Sequence, residues 1–204
     1  MQIIPSIIAL NDQELKERIT KVDTLFHVLQ LDVMDGQFVP THSLDYDFTL
    51  PKTKARFEAH LMMKHPESWI AKHGKSVDMI IVHAECFDPI PALSLAKSMK
   101  KKLGIALNPD TPIEKIIPFI KRLNQILIMT VQPGYYGATF LPNTLKKVEI
   151  LKKMYPKLII EVDGGISPAT IGTARKAGAT KFVCGSFLQK SDNLHTALDQ
   201  LMKE

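Results

Sequence analysis

At 204 residues the chain fits one domain, spanning 1–204 and long enough to bury a sizeable core. Its 45% hydrophobic and 23% charged residues are the proportions of an ordinary soluble protein, and no apolar run approaches the roughly 18 residues of a membrane span. The balance of 26 Lys+Arg against 21 Asp+Glu is mildly basic. The clusters Lys97, Lys100, Lys101, Lys102 and Lys146, Lys147, Lys152, Lys153 carry no interleaved aromatics, so they read as solvated helix faces and not as a nucleic-acid surface.

The first apolar run, 2–9, predicts a strand, and Asn11 is placed to cap a helix over 12–22. Asn11, Asp12 and Gln13 also interrupt that run, and Cys86 and Cys184 lie far apart without metal or redox spacing. Both features point to a cytoplasmic protein with reduced thiols. A second strand is expected at 27–33, after which the helical pattern is poor. Strands at 57–62 and 78–83, a helix at 89–101, strands at 103–107 and 126–131 and a helix at 141–154 come next. Pro66 and Pro112 suit first-turn positions. The pattern finishes with a strand at 158–163, a helix at 168–177 opened by Pro168, a strand at 180–184, and a helix at 192–203 with Ser191 as its expected cap. Such alternation implies parallel strands covered on their outer faces, in a closed barrel or a doubly wound open sheet. An open dinucleotide sheet shows Gly-x-Gly-x-x-Gly after its first strand, and Pro5-Ser6-Ile7-Ile8-Ala9 stands there instead. The expected fold is a single-domain (β/α)₈ TIM barrel, small against the usual size of about 250 residues.

Barrels present their chemistry at the carboxyl ends of the strands. Asp32 lies near the end of the second strand and Asp163 ends the seventh. Strand alternation places Gln30 and Met34 on the side of Asp32, Met62 with His60 and Glu58 behind them, and Glu161 with Asp163. Ser6 and Met129 join from the first and sixth strands. Any one of these alone reads more simply as a satisfied buried polar group or as core filler. Two carboxylates and an imidazole converging on one end point to acid/base work around a metal. Gly164-Gly165 and Gly185-Ser186 follow the last two strands, where barrels commonly bind phosphate through backbone N–H groups. Pro133-Gly134-Tyr135-Tyr136-Gly137 reads as a mobile lid over the mouth.

These segments together resemble ribulose-phosphate 3-epimerases, in the same order over essentially the whole chain. The matching pieces are Pro-Ser-Ile-Ile (5–8), Leu-Asp-Val-Met-Asp-Gly-Gln-Phe-Val-Pro (31–40), Ala-His-Leu-Met (59–62) and Val-His-Ala-Glu (82–85). Ala-Leu-Asn-Pro-Asp-Thr-Pro (106–112), Met-Thr-Val-Gln-Pro-Gly (129–134), Glu-Val-Asp-Gly-Gly-Ile (161–166) and Cys-Gly-Ser (184–186) complete the set. The resemblance implies interconversion of D-ribulose 5-phosphate and D-xylulose 5-phosphate in the pentose phosphate pathway. It implies Asp32 and Asp163 as the acid/base pair and, with His60, as ligands of one divalent ion (Zn, Fe, Mn, Co or Mg). That ion would hold the C2 oxygen and C3 hydroxyl and stabilise a cis-enediolate. Ser6, Met34, Met62, Met129, Gly134 and Gly137 are implied around the substrate, and Gly164, Gly165, Gly185 and Ser186 around its phosphate. A homo-oligomer is implied as well, although no surface pattern specifies an interface.

Three positions depart from the family. Its His-x-Asp metal motif reads Gln30-Leu31-Asp32, its Asp-Gly-His-Phe-Val-Pro-Asn reads Asp35-Gly36-Gln37-Phe38-Val39-Pro40-Thr41, and its lid ends Tyr135-Tyr136-Gly137-Ala138. A glutamine oxygen is neutral, hard and weaker than imidazole towards zinc or iron. Three outcomes follow: metal held with the Gln30 oxygen and a bias to manganese or magnesium, substitution by another histidine (His42 before His27, which has the wrong parity), or loss of metal and turnover. The alternatives to pentulose epimerisation are accordingly an epimerase for another ketose phosphate, such as a hexulose 6-phosphate, and a catalytically impaired phosphate-sugar-binding barrel. The Asp-x-Lys-x-x-Asp of decarboxylase and synthase relatives is missing, since His60-Leu61-Met62-Met63-Lys64-His65 stands in its place.

Overall fold

Pro5 has no N–H to give to a sheet ladder, and the first strand breaks at it. The structure, a computed structural model, describes residues 1–135 and 137–203. In it the expected strand 2–9 is two pieces, β1 (Gln2–Ile4) and β2 (Ser6–Ile7). The break lets one stretch of chain serve two neighbours: β1 pairs with β10 (Lys181–Val183) and β2 with β3 (Val28–Asp35). The carbonyls at the break stay bonded, Ile4 O accepting from Cys184 N at 2.8 Å and Pro5 O from Gln30 N at 2.9 Å. Between them run β5 (Arg56–Met62), β6 (Met79–His83), β7 (Lys102–Leu107), β8 (Gln125–Met129) and β9 (Ile159–Asp163), in the order β1-β10-β9-β8-β7-β6-β5-β3-β2 with every pair parallel. This is the expected (β/α)₈ barrel. A short antiparallel β4 (His42–Ser43) pairs with the end of β3, where the helical pattern is poor.

The outer layer is α1 (Asp12–Val22), α2 (Glu67–His73), α3 (Pro89–Ser98), α4 (Leu145–Met154), α5 (Pro168–Ala177), α6 (Ser186–Gln189) and α7 (Leu194–Met202). Asn11 caps α1 as expected, accepting from Glu14 N at 2.9 Å. Four expectations need correction. The cap of α7 is Asn193, which accepts from Thr196 N at 3.0 Å, while the Ser191 hydroxyl is spent on Asn193 itself. Pro66 and Pro112 stand just before their helical turns and not inside them, and Pro112 introduces only a 3₁₀ turn, Ile113–Lys115. The helix over 89–101 stops at Ser98, because Lys100 turns left-handed (φ 59°) and Lys101 N bonds back to Ala96 O. Finally, Lys147 is no solvated side chain. Its ammonium donates to the carbonyls of Asn108, Pro109 and Thr111 at 2.6–2.8 Å and staples the loop after β7 to α4.

Strand parity sorts the interior. Leu29, Leu31 and Val33 of β3, with their counterparts on the other strands, join the helices in one continuous apolar layer outside the sheet. Gln30, Asp32 and Met34 face inward. Burying that outer layer supplies most of the driving force for folding, at roughly 25 cal/mol for each Å² of apolar surface removed from water. The inside of the barrel is thereby left free to carry polar groups. Among the described residues no helix is long and apolar enough to cross a membrane.

Candidate active site

Asp32, His60 and Asp163 come from β3, β5 and β9 and meet at the carboxyl end of the barrel. Register explains the meeting: Asp32 sits opposite His60, and Met34 opposite Met62. His60 Nδ1 lies 3.2 Å from Asp32 Oδ1 and 3.3 Å from Asp163 Oδ2. Gln30 enters the same cluster, its Nε2 donating to Asp32 Oδ1 at 2.8 Å and to Asp163 Oδ2 at 2.7 Å. The Gln30 oxygen is buried with no partner among the described residues. At β9, Thr130 Oγ1 donates to the carbonyls of Asp163 and Gly164 and holds the turn that aims Asp163 inward.

The side of His60 away from the carboxylates carries a relay that the sequence reading did not single out. His60 Nε2 lies 2.8 Å from His83 Nε2, His83 Nδ1 lies 3.1 Å from Glu85 Oε2, and Glu85 Oε1 accepts from Asn108 N at 3.0 Å. Burial is the main force on His83 and outweighs the pull of Glu85, so its pKa falls to about 4. Glu85 is driven up by burial, yet the bonds to His83 and to its other neighbours win and bring it down to about 2. Near neutral pH, then, a neutral His83 gives its Nδ1–H to the Glu85 carboxylate and accepts at Nε2 from His60. That assignment leaves His60 Nδ1 facing the two aspartates. Burial disfavours a charge on His60, but hydrogen bonds to Asp163 and Asp32 raise its pKa to about 10. Asp163 is raised by its own burial and by the Asp32 charge, against the opposing pull of His60 and Gln30.

The donor set fits a divalent ion. One ligand atom each from Asp32, His60 and Asp163 lies within 4.8 Å of the others. Because the relay keeps a proton on His60 Nε2, Nδ1 is the nitrogen that would be offered to a metal once it gives up the proton it shares with the aspartates. The Gln30 oxygen, without a partner among the described residues and one amide rotation away from the same point, would be a fourth donor. His42, the expected substitute, is elsewhere: it faces solvent and pairs with Asp45 Oδ2 at 2.6 Å.

Above the cluster opens a cavity. Asp32 and Asp163 are in its floor, with Met34, Met62 and Met129 beside them and Ser6 at the edge. His60 and Gln30 lie beneath, fully buried. Gly164, Gly165, Gly185 and Ser186 form one wall, and Gly134 and Gly137 the roof. Every residue expected around the substrate is thus placed on one cavity. Gly164 and Gly165 are obligatory there: both have positive φ, and a Cβ on Gly164 would lie 2.4 Å from Val131 Cγ2. The roof is tied to the loop after β3, since Thr41 Oγ1 donates to Gly134 O at 2.6 Å. Tyr136 of the expected lid lies outside the described residues.

A family model described as the ribulose-phosphate 3 epimerase family matches residues 2–189. The chain belongs to the ribulose-phosphate 3-epimerase family. A relative in Schizosaccharomyces pombe named ribulose-phosphate 3-epimerase is 39% identical over 78% of this chain and 73% of its own length. One in Mycobacterium bovis with the same name is 31% identical over 99% of this chain and 92% of its own. Solved structures share the barrel at far lower identity. The 3-hexulose-6-phosphate synthase from Salmonella typhimurium superposes with a TM-score of 0.70 at 13% identity, covering 100% of this chain and 97% of that one. A mutant tryptophan synthase alpha-subunit from Pyrococcus furiosus reaches 0.72 at 15%, covering 100% and 98%. In this family setting the His83–Glu85 relay is the main addition to the expected site. The signal for it was parity, because His83 falls on the inward face of β6 with Met79 and Ile81.

Proposed function

We propose that this chain interconverts D-ribulose 5-phosphate and D-xylulose 5-phosphate by moving a proton at C3 between two carboxylates. One observation carries the reading: Asp32 and Asp163 line the same cavity as Gly164, Gly165, Gly185 and Ser186. Backbone N–H groups of these last four residues suit the phosphate, which would anchor the sugar with its carbon chain across the floor. One aspartate takes the C3 proton from one face and the other returns a proton to the opposite face, the roles reversing with direction. Burial holds the Asp163 carboxyl above the usual range, which equips it to carry the proton that is delivered. Met34, Met62 and Met129 give a polarisable, water-excluding wall beside the reacting carbons. Ser6 is positioned to contact a substrate oxygen, and Gly134 and Gly137 to cover it.

Asp32, His60, Asp163 and the Gln30 oxygen would hold a divalent ion, whose charge offsets the negative charge that develops on substrate oxygens as C3 loses its proton. Two carboxylates and a carbonyl oxygen against one imidazole favour manganese or magnesium over zinc. A cytoplasmic setting fits the two buried free thiols, Cys86 and Cys184. The test is exchange of the C3 proton of ribulose 5-phosphate in D₂O, followed by NMR with and without Mn²⁺ or Mg²⁺ and repeated with a hexulose 6-phosphate. Ion-dependent exchange confined to the pentulose is expected. Ribulose 5-phosphate that binds but never exchanges, under any ion, would overturn the reading.

A further inference from the structure

A primary amide has a donor end and an acceptor end of nearly the same shape, and Gln30 uses only one of them. Its NH₂ spans the two aspartates at 2.8 and 2.7 Å, while its oxygen, fully buried, meets no donor among the described residues. A buried carbonyl without a partner is costly, and rotating the amide half a turn about Cγ–Cδ would move that oxygen to the point the nitrogen holds. There it would face two carboxylate oxygens at hydrogen-bond distance and His60 Nδ1 at a longer 3.4 Å, a balance that is repulsive unless a divalent cation lies among them. Amide orientation is therefore linked to the charge held by Asp32, His60 and Asp163.

We propose that Gln30 is a reversible stand-in for the ion. Its NH₂ ties Asp32 to Asp163 when no divalent cation is bound, and its carbonyl oxygen turns in as a ligand when one is. The inference rests on the reading that this cluster binds a divalent ion, but not on which sugar is turned over. Two properties follow. The metal-free protein keeps its site ordered, because two charge-assisted donors replace the cation. The ion must break both bonds to enter, so it binds more weakly than it would beside a side chain with no donor role.

The side-chain amide can be watched directly in ¹⁵N-labelled protein, with Gln30 assigned through its own backbone so that no variant is needed. After chelation its two amide protons should be shifted downfield and protected from exchange. Adding Mg²⁺ should move both upfield and remove the protection, along the same saturation curve that calorimetry gives for binding. In Gln30→Glu the donor is gone and a charge is added. Mg²⁺ affinity there should rise by about tenfold or more, and the difference in Tm between chelated and loaded protein should widen. Amide signals that stay put while Mg²⁺ saturates the site would overturn the proposal, as would failure of any divalent ion to bind at millimolar concentration. The two readings fail separately: a turning amide without C3 exchange removes the epimerase reading alone, and exchange with an unmoved amide removes this one alone.

Discussion

The interior of the barrel carries two polar clusters with nearly the same ingredients and opposite fates. At the carboxyl end, Asp32 and Asp163 share an imidazole and a glutamine. At the amino end, Glu58 and Glu161 share Lys181 and Gln125, with Lys181 Nζ 2.8 and 3.3 Å from the two carboxylates and 2.6 Å from Gln125 Oε1. Strands β5 and β9 supply both clusters, two residues apart on each. The difference is the cation. At the base it is a lysine tethered to the chain, a fixed charge held between the two carboxylates, while burial and the Glu58 charge favour the protonated form of Glu161. At the top the positive partner is the His60 imidazole, whose charge leaves with a proton, beside a neutral amide and beneath an open cavity, so the carboxylates can exchange that proton for an ion. Like pairs of acids become structure or chemistry according to whether the positive charge between them is fixed, as on Lys181, or can be given up, as on His60.

The largest effect that would test this contrast is on turnover. Asp32→Asn and Asp163→Asn should each lower C3 exchange by about 10²–10⁴-fold, the usual worth of a positioned proton carrier, without lowering Tm. Glu161→Gln, its counterpart at the base, should leave exchange intact. Next comes stability. Lys181→Met strands two buried carboxylates and should cost about 3–5 kcal/mol in urea unfolding, most of it recovered when Glu58 and Glu161 are also changed to Gln. If Lys181→Met were neutral, the base would not depend on its tethered charge.

The relay beneath the upper cluster should show in metal binding and in acid. Glu85→Gln should weaken Mn²⁺ binding by roughly 10–100-fold in a competition assay with a fluorescent chelator. The folded pKa of Glu85 is depressed from 4.5 to about 2, so its contribution to stability is complete above pH 4.5 and is lost as pH falls through 2. The wild-type advantage over Glu85→Gln in urea midpoint should therefore shrink across that window. Glu161 has the opposite sign, since burial and the Glu58 charge raise its pKa and the native state gains from its protonation. Glu161→Gln should gain on wild type as pH rises above 4.5. The smallest effect is at the basal rim, where Lys100 is left-handed at φ 59°. Lys100→Gly should add about 0.5–1 kcal/mol of stability and leave exchange unchanged.

Much of the site was legible because strand alternation is strict. With Asp32 facing inward, alternation puts Gln30 and Met34 beside it, and the same period pairs Met62 with His60 and Glu161 with Asp163 on their own strands. What escaped depended on distances across the barrel. His83 on an apolar strand looks like any core histidine until β5 and β6 are in register and its ring meets His60. Lys181 reads as a strand-edge lysine until Glu58, far off in sequence, turns out to lie beneath it. The identity of Gln30 was plain from the sequence, but which end of its amide faces the aspartates is fixed only by the bonds around it. The break at Pro5 was missed because an apolar run with one proline still alternates correctly on both sides of it.

That break has a consequence for how the protein is made. The seam joins residues 2–4 to 181–183, the longest sequence separation among the paired strands, so it raises contact order and is favoured to form late. On the ribosome the first strand has one of its two neighbours within thirty residues and must wait for the other until most of the chain has emerged. Ser6 and the Gly185–Ser186 turn flank this seam on the cavity. The cavity above the aspartates is therefore complete only once this seam has closed, and a chain that lacks its last strand has one wall of the cavity missing.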